Sequence, residues 1–301
     1  MVSVLLPTVE WGPACEQVAA QLESDDELLV VCDTDSDPVA SHDAPEGVRI
    51  LVAGEPDGCS GKANALAYGM ERATGDRFLW TDDDFDHGDD WLGRVKRLAE
   101  AHSVVTGIPV FVGDGWWRVA EPLIVGSGSL GLYLGGQVWG GCVTFTREDV
   151  DVDELVSDLR RTVSDDGLLS SRLDDVTAAR ELTEQIRIDG DFENVRQRLV
   201  RFTQTVRFEQ TTSTPGLVGG FLCLAVAGLV WPLPVAGLIT AITAGTYWFF
   251  GIRRATFLLA YPALLVAPLI LLYGLLTSEF EWGGRRYRWR DVYDVTIVES
   301  E

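Results

Sequence analysis

The chain has 301 residues, enough for one large α/β domain and an appendage, and its formal net charge is −22, with 46 acidic against 24 basic residues. So acidic a surface excludes a nucleic-acid partner, because phosphate backbones need a basic face; with Lys62 and Lys96 as the only lysines it predicts adaptation to a salty cytoplasm, as in halophilic archaea. The five cysteines form no CxxC pair and no even framework, which excludes structural zinc and points to a reducing compartment.

In chain order, Val2 to Leu6 predicts a strand that runs into Pro7 with no basic flank before it, so no signal peptide is expected and the domain stays in the cytoplasm. Pro13 to Leu22 predicts a helix, Leu28 to Cys32 and Val48 to Val52 two strands, Gly61 to about Ala73 a helix, and Arg77 to Thr81 a strand ending in three aspartates. This alternation predicts a parallel sheet with crossover helices. Residues 104 to 147, rich in Gly, aromatic and β-branched types, read as a second, mixed part of the sheet, and 151 to 210 as mostly helical.

From 215 to 277 the chain is almost continuously apolar, which predicts a membrane domain of three segments, about 216–232, 235–252 and 255–277, separated by Pro232/Pro234 and by Arg253/Arg254. Residues 1–214 then form the cytoplasmic domain, and 278–301 a tail that is first basic and aromatic, then acidic. Three full spans would send that tail outside. Its Arg and aromatic residues read as a segment binding an anionic leaflet, so the third segment, interrupted by Pro262 and Pro268, is expected to re-enter and keep the tail cytoplasmic.

The chemistry sits at strand ends, where open α/β sheets gather their sites. Asp82, Asp83 and Asp84 follow the strand 77–81; adjacent carboxylates repel, and a hard divalent ion resolves this, although a chain this acidic also produces such triplets by chance. Upstream, Gly58 to Leu66 is a glycine-bearing loop entering a helix with Lys62 at its start, a place that favours an anion such as diphosphate or serves simply as a cap. Ala63 stands where a Walker A loop needs Ser or Thr. Asp165 and Asp166, side by side, raise one another's pKa, which suits a base; a solvated helix start is the plainer alternative. Arg196, Arg198, Arg201 and Arg207 gather in an otherwise acidic domain, as a salt-bridged helix face or as a site for phosphates.

Val2 to Glu10, Val30 to Asp33, Gly61 to Leu66 and Ala73 to Asp84, continuing through Gly140-Gly141, Ser164 to Leu168 and Gln197 to Phe202, together resemble the successive motifs of inverting family-two glycosyltransferases, and most closely the ceramide glucosyltransferase-like branch. The resemblance implies a GT-A fold, with Thr8, Glu10 and Asp33 near the base and ribose, Asp82 and Asp83 among the donor's contacts, Asp82 and Asp84 holding Mg²⁺ or Mn²⁺ on the diphosphate, and Asp166 as catalytic base beside Asp165. It places Gln197, Arg198, Arg201 and Phe202 near the diphosphate and acceptor, with Phe202 standing where the family has Trp.

The expected activity is metal-dependent, inverting transfer from a nucleotide diphosphate sugar, a UDP-sugar as the leading donor, to the hydroxyl of a membrane lipid by a multi-pass protein of the cell membrane. Two rivals stay open: transfer to a polyprenyl phosphate, already a nucleophile, and a catalytically silent nucleotide-sugar-binding membrane subunit. A transporter fits less well, because the apolar segments carry no internal acidic residue.

Overall fold

The computed structural model describes residues 1–209 and 214–298. In chain order it contains β1 (Val2–Pro7), α1 (Pro13–Ala19), β2 (Glu27–Cys32), β3 (Val48–Val52), α2 (Gly61–Met70), β4 (Arg77–Thr81), α3 (Trp91–Ala101), β5 (Val105–Gly113), α4 (Trp117–Ile124), α5 (Leu130–Gly135), β6 (Cys142–Thr146), α6 (Val152–Leu159), α7 (Asp165–Ser170) and β7 (Thr177–Ile188). There follow α8 (Phe192–Glu209), α9 (Thr214–Val230), α10 (Pro232–Phe249), α11 (Ala260–Leu276), β8 (Glu279–Trp282), β9 (Arg285–Asp291) and β10 (Asp294–Val298). Two compact units result. Unit 1 comprises Met1–Pro109, Gly135–Gln185 and Val292–Ile297, and unit 2 is built from Val110–Leu134 and Ile186–Asp291. Residues 210–213, at the expected boundary, and the last three of the tail lie outside the described residues.

The seven-stranded sheet runs β3-β2-β1-β4-β6-β5-β7, a mixed α/β arrangement consistent with a GT-A domain. β1 to β4 pair in parallel, whereas β6 is antiparallel to β4 and β5. β1 and β2 are apolar and buried along nearly their whole length, as strands covered on both faces must be. Strand order reverses at β1, between β2 and β4, and the crevice of such a sheet opens at the carboxyl ends there. Those ends are Pro7-Thr8 and Thr81-Asp82.

The sequence reading missed β7, taken as part of a helical stretch. Its buried residues, Ala179, Leu182, Ile186 and Ile188, are too few among charged neighbours to stand out as a strand, and only the last three share a parity. Residues 104–147 contain β5 and β6 as expected, but a helical stretch, α4 and α5 joined by the π turn Val125–Ser129, lies between them.

In unit 2 each expected apolar segment corresponds to one helix, but among the described residues only Thr256–Leu276 is long and apolar enough to cross a membrane, with a mean hydropathy of 2.1; Thr214–Val230 is shorter. Nor does the third segment break. α11 is continuous through Pro268, and Pro262 lies in its first turn, where the missing N–H costs no intrahelical bond. α11 runs back along α9: the Tyr261 hydroxyl donates to the Gly228 carbonyl (3.1 Å) near one end, and at the other the Gln204 amide of α8 donates to the carbonyls of Gly274 and Thr277.

The tail is not a loose basic segment. Glu279 to Trp282 pairs with Arg285 to Arg288 in an antiparallel hairpin turned by Gly283 and Gly284, whose φ values of 56° and 73° are those a two-residue hairpin turn of opposite hand requires. Arg286 and Arg288 pair across the strands with Glu281 and Glu279, each at 2.6 Å, and Tyr287 and Trp289 are buried. Both rings are thus packed in the protein, while Arg286 and Arg288 keep a third or more of their side chains exposed.

Candidate active site

In unit 1 the loop before α2, the end of β4 and the start of α7 bring one ammonium among three carboxylates, Asp82, Asp165 and Asp166. Ser60 caps α2, accepting from the Ala63 N–H (3.1 Å), and so fixes Lys62 in the first turn. Lys62 Nζ lies 2.7 Å from Asp82 and 2.9 Å from Asp165. Ser164 likewise caps α7 by accepting from Gly167 N–H (3.3 Å), which aims Asp165 and Asp166 from the first helical turn. The Gly140 N–H donates to Asp166, and a side chain on Gly140 would run into both carboxylates, so the approach requires glycine.

The charges do not balance. Burial works against the ammonium of Lys62, but Asp165, Asp82 and Asp166 more than offset it and hold Lys62 protonated well above the ordinary lysine range. Burial pushes the carboxyl of Asp166 up to about 7, the charge of Asp165 adding to this and Lys62 opposing it. Asp165 is almost fully buried against Lys62, while Asp166 retains some exposure. A carboxyl raised into this range can take and return a proton near neutral pH.

Of the other residues singled out by sequence, Thr8 is buried with its hydroxyl against Asp83, which is itself exposed. Asp33 is buried at the carboxyl end of β2, and its N–H donates to Asp37 (2.9 Å). Glu10 and Asp84 are exposed. The described residues gather no set of three or more His, Cys, Asp or Glu side chains for a metal ion. Unit 1 therefore brings together Thr8, Lys62, Asp82, Asp83, Asp165 and Asp166.

Gln197, Arg198, Arg201 and Phe202 lie in unit 2 on α8. Gln197 donates to Glu193 (2.7 Å), Arg198 stands 5.6 Å from the centre of the Phe111 ring, and Phe202 packs on that same ring at 5.2 Å.

Sequence reasoning passed over His87. It is buried with Nε2 2.8 Å from the Thr81 hydroxyl, which also donates to Gly141 (3.1 Å), and burial pushes its pKa down to about 4. A neutral imidazole thus braces the turn that carries Asp82. One of three histidines, six residues beyond Thr81, it offered no motif to find it by.

Residues 12–146 match the family model described as glycosyl transferase family 2. Among curated proteins no sequence relative matches the chain. Solved structures similar to it include glucosyl-3-phosphoglycerate synthase from Mycobacterium tuberculosis in complex with phosphoglyceric acid, at 16% identity over 68% of this chain and 79% of that one with a TM-score of 0.38. The same synthase with Mn²⁺, UDP-glucose and glycerol 3-phosphate gives 18% identity, 68% and 79% coverage and a TM-score of 0.39. S. aureus TarS 1-349 gives 9% identity over 99% of both chains and a TM-score of 0.40. Likeness at this level carries neither donor nor acceptor over to the present chain. The segment that matches the glycosyl transferase family 2 model, 12–146, is the one that supplies Lys62 and Asp82 to the acidic cluster.

Proposed function

We propose that the chain is a membrane-bound, inverting glycosyltransferase that moves a sugar from a nucleotide diphosphate to a lipid hydroxyl. The observation that carries this reading is the cluster of Asp82, Asp165 and Asp166 on Lys62, with Asp166 raised to about 7 at the mouth of a family 2 sheet. Asp166 takes the acceptor's proton as its oxygen attacks the anomeric carbon; the bond from that carbon to the diphosphate breaks, and the electron pair leaves on the diphosphate. Lys62 holds Asp165 and Asp82 in place and keeps Asp166 from becoming too weak an acid.

Asp82 and Asp84 are hard oxygen donors at a strand end, and Mg²⁺ characteristically takes one or two carboxylates plus substrate phosphates, so a gathered set of three protein ligands is not needed. The two would hold Mg²⁺ or Mn²⁺, whose charge, when bound, offsets that developing on the diphosphate.

The membrane assignment is supported by the outward apolar side chains of unit 2, Leu229, Leu233, Trp248 and Leu276 among them, all more than two-thirds exposed. Residues 292–297 belong to unit 1, where the Tyr293 hydroxyl lies 3.1 Å from Asp158. A chain that leaves the catalytic unit and returns to it crosses a bilayer an even number of times, so the tail is assigned to the cytoplasm with unit 1. Thr296→Cys in a cysteine-free background checks this: an impermeant thiol reagent should label it only after lysis, and labelling of intact cells would refute the assignment.

Membranes carrying the protein should transfer label from one member of a panel of nucleotide sugars into the lipid extract, and EDTA should stop the transfer. Absence of labelled lipid with every donor would overturn the reading; label in a polyprenyl phosphate product, insensitive to Asp166→Asn, would favour the phosphate acceptor.

A further inference from the structure

Resting on that functional reading, we infer that Thr106, on β5, is a positioning residue for Asp166 and acts through the turn at 139–142. All of these residues lie in unit 1. The Cys142 N–H donates to the Trp139 carbonyl (3.1 Å), which closes a four-residue turn with Gly140 and Gly141 at its centre. Thr106 is fully buried and lies opposite Val143, the residue after the turn. Its hydroxyl accepts from the Trp139 N–H (2.9 Å) and donates to the Cys142 carbonyl (3.1 Å), so one side chain holds both ends of the turn.

The turn reaches both sides of the acidic cluster. Its Gly140 N–H donates to Asp166 Oδ1, while the Gly141 carbonyl accepts from the Asp82 N–H (3.2 Å) and from the Thr81 hydroxyl (3.1 Å). The base and the strand end that carries Asp82 are therefore spaced by adjacent peptide units. Ser170, the last residue of α7, accepts from the Val138 N–H (2.9 Å) and ties the chain entering the turn to the helix that holds Asp166. Neither glycine leaves room for a stiffer residue: a Cβ on Gly140 would strike Asp165 and Asp166, and one on Gly141 the Trp139 ring. Two successive glycines give a turn little rigidity of its own, so its conformation is set from outside, by the Thr106 hydroxyl. The Gly140 bond fixes one carboxyl oxygen and with it the plane of the carboxyl. The lone pair that takes the acceptor's proton has to keep that direction through the attack.

The test compares Thr106→Val, which keeps the shape and removes the hydroxyl, with Thr106→Ser, which keeps the hydroxyl. Each is assayed with the active nucleotide sugar and by hydrogen exchange at the Gly140 amide. Thr106→Val should lower kcat about tenfold or more while the donor KM moves less than about threefold, and the Gly140 amide should exchange about tenfold faster or more. Thr106→Ser should recover most of both changes. Asp166→Ala should also speed exchange at Gly140, because it removes the acceptor of that N–H. If Thr106→Val leaves Gly140 at the parental exchange rate, speeds exchange with kcat intact, or loses no more kcat than Thr106→Ser, the hydroxyl only fastens the sheet and the inference fails. Should Thr106→Val not fold, Ser170→Ala, which releases the Val138 N–H, carries the same comparison of kcat, donor KM and exchange. A wild-type chain that transfers no sugar would instead overturn the functional reading on which this role rests.

Discussion

Each unit holds a buried acid-base knot, and the two are built to opposite rules. In unit 2, Glu121 of α4 is fully buried and receives Arg254 Nε (3.1 Å), the Tyr247 hydroxyl (3.1 Å), the Thr256 hydroxyl and the Gly113 N–H (3.2 Å). Arg254 also donates through Nη2 to the Gly113 carbonyl and to the exposed Asp114. One buried carboxylate meets one guanidinium; donors surround the carboxylate, and the guanidinium finds these further acceptors. In unit 1 a single ammonium faces carboxylates on three sides, and Asp166 is left near its midpoint at neutral pH. A balanced knot fastens elements together. An unbalanced one stores a proton site and a place for further positive charge, and costs stability to keep.

The contrast can be sharpened by substitution. Lys62→Ala removes the only cation from the unit 1 cluster and should do the most damage, weakening donor binding by about tenfold or more and lowering the melting temperature, since uncompensated buried charge is costly. Lys96, paired at 2.6 Å and 2.9 Å with Glu23 and Asp26, belongs to the fastening kind, and its alanine variant should leave donor affinity unchanged. Equal donor affinities in the two variants would remove the distinction.

Glu121→Gln should cost about 3 kcal/mol by stranding Arg254, read as a fall in melting temperature. At temperatures where the variant stays folded, kcat should be that of the parent; a selective loss of kcat would mean that the unit 2 knot also serves catalysis.

A smaller effect is expected at the opposite end of the sheet. Glu27 is buried, but hydrogen bonds from Thr74 and Ser3 and the guanidinium of Arg49 outweigh that burial and hold its carboxyl below the ordinary value. A depressed folded-state value means that stability is present above the ordinary carboxylate pKa and is lost as pH falls through the lowered one. Glu27→Gln should therefore flatten the acid limb of the melting profile, by about 1 kcal/mol or less, and a variant as acid-sensitive as the parent would contradict this.

How much of this was legible in the sequence depended on whether the signal was local. β1, β2, β3 and β4 were readable because each is a short apolar run ending in polar residues, and the acids at 82–84 could be placed at a strand end for the same reason. Lys62 was visible as a helix-start cation, but its partners Asp82 and Asp165 were not, because they lie 20 and 103 residues away, the differences in position. Arg254 looked like a marker between two apolar segments; its meaning depended on Glu121, an unremarkable acid in an acidic chain. Composition could not show that Trp282 meets Arg201 and Trp289 meets Phe208, both on a helix far earlier in the chain.

The central claim is that the unbalanced cluster performs the transfer while the balanced one only holds the fold. The most direct measurement is the rate of sugar transfer to lipid by Asp166→Asn and by Glu121→Gln, each normalised to folded protein at one temperature. The account predicts that Asp166→Asn loses about a thousandfold or more while melting no lower than the parent, and that Glu121→Gln keeps the parental rate with a lower melting temperature. Parental transfer by Asp166→Asn, or loss of transfer confined to Glu121→Gln, would contradict it.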